Sequence, residues 1–77
     1  MPRYSHHARQ RMVERGITES DVEAALRRPV GAPQPGRRPD TIAVEGYSEQ
    51  ARRLKIIVDS VDRDFVITVM ELGERDQ

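Results

Sequence analysis

The sequence has 77 residues, thirteen basic and thirteen acidic side chains, two histidines, one Phe, no Trp and no Cys. A chain this short supports one core, here of Val, Ile, Leu, Met and Ala, so a single domain over residues 1–77 is expected, with modest stability that a homodimer would raise. Without Cys there is no disulfide frame and no Cys-rich zinc site, the apolar runs fall far below membrane-spanning length, and the N-terminus lacks the apolar stretch of a secretory signal. These features predict no membrane partner and a cytoplasmic location.

Charge is balanced overall but unevenly placed. Eight arginines precede Glu45 against five acids, whereas eight acids fall from Glu45 onward against five basic residues. Any nucleic-acid face is therefore expected on the N-terminal elements and the middle loop.

Ser5 reads as the N-cap of a first helix over about 5–15, and Gly16 supplies the left-handed residue that commonly ends a helix, with Ile17 closing the cap. Thr18-Glu19-Ser20-Asp21 reads as a capping-box variant, Asp standing where Glu or Gln is usual. It opens a second helix over about 18–28 that Pro29 stops. Residues 29–40 hold Pro33, Pro35 and Pro39 with Gly31 and Gly36, and are expected to be a loop.

Strands are expected at about 41–47, 54–61 and 65–72. The first alternates, with Ile42 and Val44 on one face and Thr41, Glu45 and Tyr47 on the other. The second and third are rich in β-branched residues, and Asp62-Arg63-Asp64 joins them as a hairpin loop. In the third strand both faces are nearly equally apolar, so register is weakly specified. The favoured register places Phe65, Ile67 and Val69 beneath the helices and Thr68 on the open face. The segment from Gly73 to Gln77 is expected to fray.

On the first helix His7, Arg11 and Arg15 recur every four residues and form one stripe beside the Ala8 and Met12 face. Guanidinium groups bind phosphate oxygens bidentately, and imidazole carries a proton near neutral pH, so the stripe suits a phosphate. The plainer reading is a solvated helix face with Glu14 pairing part of its charge. Adjacent His6 and His7 point about 100° apart and have no carboxylate four residues on, so no metal is expected. Ser5 and Thr18 are explained as caps. Thr68 is either an ordinary β-branched strand residue or a hydroxyl within reach of a phosphate or ribose, and Tyr47 either packs or stacks on a base. No glycine-rich phosphate loop or dinucleotide fingerprint is present, and no cofactor is expected.

The string His7-Ala8-x-x-Arg11-Met12-x-x-Arg15-Gly16-Ile17, the Val22-x-x-Ala25-Leu26 helix and the Val66-Ile67-Thr68-Val69 strand resemble the domain-of-unknown-function 4258 family from about Tyr4 to Leu72. That family has been grouped with RelE-like toxins and related small ribonucleases. The resemblance implies an α+β fold of two N-terminal helices on a three- or four-stranded antiparallel sheet, and it matches His7, Arg11, Arg15 and Thr68 to the family's polar positions as catalytic residues. The implied activity is metal-independent endoribonucleolytic cleavage of RNA, with an antitoxin-like protein as a further partner. The alternative is a non-catalytic protein- or nucleic-acid-binding module of a toxin-antitoxin-like system. Zero net charge departs from the strongly basic balance of RelE-like toxins, which makes a local basic surface the requirement for RNA binding.

Overall fold

The structure is a computed structural model and describes residues 1–73. Its elements run β1 (Arg3–Tyr4), α1 (His6–Arg15), α2 (Glu19–Arg27), β2 (Gln34–Pro35), β3 (Thr41–Tyr47), β4 (Arg53–Asp59) and β5 (Phe65–Glu71). The expected fraying concerned 73–77, of which 74–77 lie outside the described residues.

Both helices begin and end on the local chemistry that their sequence carries. Ser5 caps α1 by accepting from the Ala8 N–H at 3.0 Å. Gly16, left-handed at φ 66°, ends it, and the Ile17 N–H reaches back to the Met12 carbonyl at 2.8 Å. At α2 the capping box is reciprocal: the Asp21 N–H donates to Thr18 Oγ1 at 3.1 Å, and the Thr18 N–H donates to Asp21 Oδ2 at 2.9 Å. The shorter Asp side chain serves the role because it needs only to span one turn.

The five strands form one mixed sheet in the order β1-β5-β4-β3-β2. This corrects the expected three- or four-stranded antiparallel sheet. β1 adds a parallel edge beside the start of β5, pairing Arg3 with Phe65 and Tyr4 with Val66, while β2 adds an antiparallel edge beside β3. Two-residue strands carry no period that a sequence pattern reveals, and Pro35 is tolerated because it lies in an edge strand. The loop expected over 29–40 therefore contains a strand, and Pro29 itself bridges Gly46.

α1 lies over β5, and α2 lies over β3 and β4. They cover the sheet face carrying Leu54, Ile56, Val58, Val66 and Val69, which join Ala8, Met12, Ile17, Val22 and Ala25 in the core. Ile42 packs against this cluster from β3, as alternation predicts. The register expected for β5 is half replaced. Val69 is buried at 1% exposure, but Val66 at 0% is its companion, and Phe65 and Ile67 are only half-buried.

The cause is a β-bulge. Val58 opposes Val66 and Ile57 opposes Thr68, so Ile67 has no partner across the ladder. One extra residue shifts the alternation, which lets Val66 and Val69, three apart, share the helix-covered face. Ile67 and Thr68 both border the opposite, open face.

Tyr4 packs against the core, with the Arg9 guanidinium 5.2 Å from its ring centroid. Its buried hydroxyl has no hydrogen-bond partner among the described residues, and burial, then the charges of Glu19 and Glu23, push its pKa up to about 12 against the lesser pull of Arg9.

α2 packs closely on β3 at Gly46, where an added Cβ would overlap the Ala25 carbonyl oxygen. Because that oxygen belongs to a helix backbone, relief requires moving the helix. Gly46→Ala is expected to cost about 1–3 kcal/mol, read as a lower urea midpoint with an unchanged m-value; an unaltered midpoint would refute this packing.

Candidate functional site

The site begins at Ser5. Its backbone N–H donates to the Val66 carbonyl at 2.9 Å, and its hydroxyl, besides capping α1, donates to the Ile67 carbonyl at 2.6 Å. The first turn of α1 is thereby fixed against the bulge of β5. His7, two residues beyond the cap, then stands beside Thr68, and the four-residue spacing from each member to the next carries Arg11 and Arg15 along the strand.

His7, Arg11, Arg15 and Thr68 line one groove of about 460 Å³, with Val69 to Leu72 along its other side. β1 pairs only with Phe65 and Val66, so the outer edge of β5 beyond the bulge lies open under the α1 stripe among the described residues. His7 and Arg15 are exposed, and Arg11 and Thr68 are half-buried. Arg11 stands 3.8 Å from Glu14, an exposed pair of the kind that contributes only a few tenths of a kcal/mol and yields readily to a stronger anion. Arg15 forms no ion pair with a described residue.

Glu71 is the one acid among the described residues that lines this groove, and Arg52 holds it. Arg52 Nε donates to Oε2 at 3.1 Å and Nη2 donates to Oε1 at 2.7 Å, a bidentate pair. That hydrogen bonding, with the charges of Arg52 and Arg15, keeps the Glu71 carboxyl below its usual range against a smaller opposing effect of burial. The same guanidinium donates to the Gly16 carbonyl at 2.9 Å and the Arg15 carbonyl at 2.8 Å, placing a cation at the negative end of α1. With Glu71 so neutralised, the free charges of the groove are positive.

A second cavity, of about 670 Å³, opens on the uncovered face of the sheet and shares His7, Thr68 and Met70 with the groove. Ile57 and Ile67 form its apolar floor, while Lys55, Arg37 and Arg38 bring cations to it. The sequence assigns the middle loop that carries Arg37 and Arg38 to any nucleic-acid face without singling out either residue, and Lys55, Ile57 and Ile67 were not site candidates. For Lys55 a signal existed: it lies between Leu54 and Ile56, so alternation sends it to the face opposite the core. Arg37 and Arg38 sit between Gly36 and Pro39, where no periodicity specifies direction. They are set by the hairpin, in which the Gly36 N–H donates to the Thr41 carbonyl at 2.9 Å and Thr41 Oγ1 donates to the Arg38 carbonyl at 2.7 Å.

His6 faces a different surface, beside Arg9 and Val13. Tyr47 lines neither of the two cavities. Among the described residues no three His, Cys, Asp or Glu side chains cluster so as to hold a metal ion, and no helix is long and apolar enough to cross a membrane.

The fold and groove define a small α+β chain with a basic cleft between its first helix and the strand β5. Residues 4–71 match the sequence model of the family described as a domain of unknown function (DUF4258), and the chain belongs to that family. No curated protein matches the chain. No solved structure matches it either.

Two outcomes follow from the clamps at either end of α1. Ser5→Ala removes a cap and strands the Ile67 carbonyl, and is expected to cost about 1–3 kcal/mol in urea denaturation, with Ser5→Thr recovering part of it. Glu71 has a folded pKa below its unfolded value, so its pair with Arg52 stabilises fully above the unfolded carboxylate pKa of about 4.3 and is lost as pH falls through the lower, folded value. Urea midpoints taken from neutral to acid pH should therefore fall more steeply for the native chain than for Glu71→Gln; parallel curves would show that the pair contributes nothing.

Proposed function

We propose that this chain is a RelE-like endoribonuclease that cleaves RNA without a metal ion. The observation that carries the reading is the meeting of His7, Arg11 and Arg15 from α1 with Thr68 from β5 in one groove, although Thr68 lies at the other end of the sequence. The packing of both helices on one sheet face agrees in outline with the RelE-like arrangement, and the local basic surface supplies what zero net charge lacks. The setting that goes with this reading is the cytoplasm, with an antitoxin-like protein as the neutralising partner.

In the proposed reaction the ribose 2′-oxygen attacks the adjacent phosphorus, the P–O5′ bond breaks, and the products end in a 2′,3′-cyclic phosphate and a 5′-hydroxyl. The proton lost from O2′ is balanced by one gained at O5′. His7 handles one of these transfers and water the other. Arg11 and Arg15 stabilise the charge that gathers on the phosphorane oxygens, an effect that grows toward the transition state, while the Thr68 hydroxyl orients a phosphate oxygen. No enzyme nucleophile is required.

One observation favours a binding module instead: among the described residues the groove offers a single imidazole, and its only carboxylate is tied to Arg52. The two readings part at His7. Labelled single-stranded RNA incubated with the protein in chelator is expected to be cut to cyclic-phosphate ends, and His7→Gln is expected to slow this by about 10²–10⁴-fold with an unchanged melting curve and unchanged RNA binding. Full activity in folded His7→Gln would sink the mechanism. RNA bound but left intact by the native chain, with and without ribosomes, would favour the binding module in its place.

A further inference from the structure

The cavity on the open sheet face falls inside the range of roughly 300–1,000 Å³ typical of ligand sites. Its chemistry alternates. Ile57, Ile67 and Met70 give an apolar floor, Lys55 rises from β4, and Arg37 and Arg38 overhang from the hairpin between β2 and β3. Among the described residues no acidic side chain lines it, and none of the three cations forms an ion pair with a described residue.

Cations set around an apolar floor complement a ligand in which anionic groups alternate with flat, weakly polar ones. A nucleic-acid strand has that pattern; an acidic peptide matches the charges but leaves the floor uncovered. A duplex presents its phosphates while keeping its bases stacked inside, so only an unstacked base reaches Ile57 and Met70. His7 and Thr68 border both this cavity and the groove under α1, so the two surfaces are continuous.

We propose that the open face is the docking track of a single-stranded polynucleotide: one unstacked base lies on Ile57, Ile67 and Met70, flanking phosphates meet Lys55, Arg37 and Arg38, and the strand passes its next phosphate to His7 and Thr68. The inference rests on the nucleic-acid reading of the site given above, but not on cleavage. Substrate choice then lies with residues of β4 and the hairpin that take no part in the proton transfers.

The test is binding of a fluorescent single-stranded 2′-O-methyl oligoribonucleotide, which lacks the attacking hydroxyl and so reports docking without cleavage. The Arg37→Gln/Arg38→Gln/Lys55→Gln variant, checked for fold by circular dichroism, is expected to bind roughly tenfold more weakly or worse at low salt, the loss that follows one charge-assisted contact or more. Its log–log salt dependence should flatten by about two, since each single-strand phosphate contact contributes about 0.7. Met70→Glu, at an exposed floor position, should weaken binding severalfold without changing the fold. A matched duplex should bind less well than the single strand.

An unchanged affinity and salt slope in the triple variant would overturn the proposal, as would equal losses for single strand and duplex, which would mean charge attraction without base docking. Capture of polyglutamate with no affinity for the oligonucleotide would also overturn it in favour of an acidic protein partner. If native RNA remains uncut while the 2′-O-methyl strand shows the expected losses, the docking track stands and the catalytic reading falls.

Discussion

The hydroxyl of Ser5 joins the start of α1 to the bulged backbone of β5. It accepts from the Ala8 N–H, which begins α1, and donates to the carbonyl of Ile67, the residue that the bulge leaves without a ladder partner. Each group is one that folding must satisfy: a helix start has orphan donors, and an unmet buried carbonyl costs about 1–3 kcal/mol. One oxygen answers both, and in doing so it sets the height of the helix against the strand. The position of His7 beside Thr68 depends on that bond, since both residues are neighbours of atoms it holds.

At the other end of α1, Arg52 does comparable work with charge. Its guanidinium meets the final carbonyls of the helix and the carboxylate of Glu71 at once, so it binds the helix end to β5 while cancelling an acid that lines the groove. The planar fork matters here, because a lysine ammonium would present no such pair of parallel donors to the carboxylate. Between these two clamps the α1 stripe is held along an edge of β5 that no described residue pairs beyond the bulge, and its cations are kept in line.

Local chemistry was the legible part of this fold. Ser5, Gly16, Thr18 and Asp21 announce both helices through caps whose geometry is nearly independent of the rest of the chain, and β3 alternates because one of its faces is covered. The stripe of His7, Arg11 and Arg15 is legible for the same reason, being a consequence of helical spacing. What lay hidden is non-local. β1 and β2 are two residues long and exist only because longer strands offer them an edge. The bulge at Ile67 appears only in the pairing of β5 with β4, and a segment apolar on both faces announces no shift. Arg52 follows a turn and looks like any surface arginine until α1 and Glu71 are brought to it. Arg37 and Arg38 take their direction from a hairpin closed by Gly36 and Thr41, a contact between positions rather than a pattern along them.

The pairing of β1 with β5 runs parallel and joins residues 3–4 to residues 65–66. A parallel neighbour so far along the chain cannot form by local zippering; it closes a loop that contains almost every other element, and loops of that kind slow folding because their entropy is lost before their contacts are gained. During synthesis the segments of α1 and α2 precede β5, so Ser5 has no strand to meet when they emerge. The groove under α1 therefore has no partially built form: until Ile67 and Thr68 arrive, the stripe is an unsupported helix face, and whatever the site binds meets either the finished surface or none.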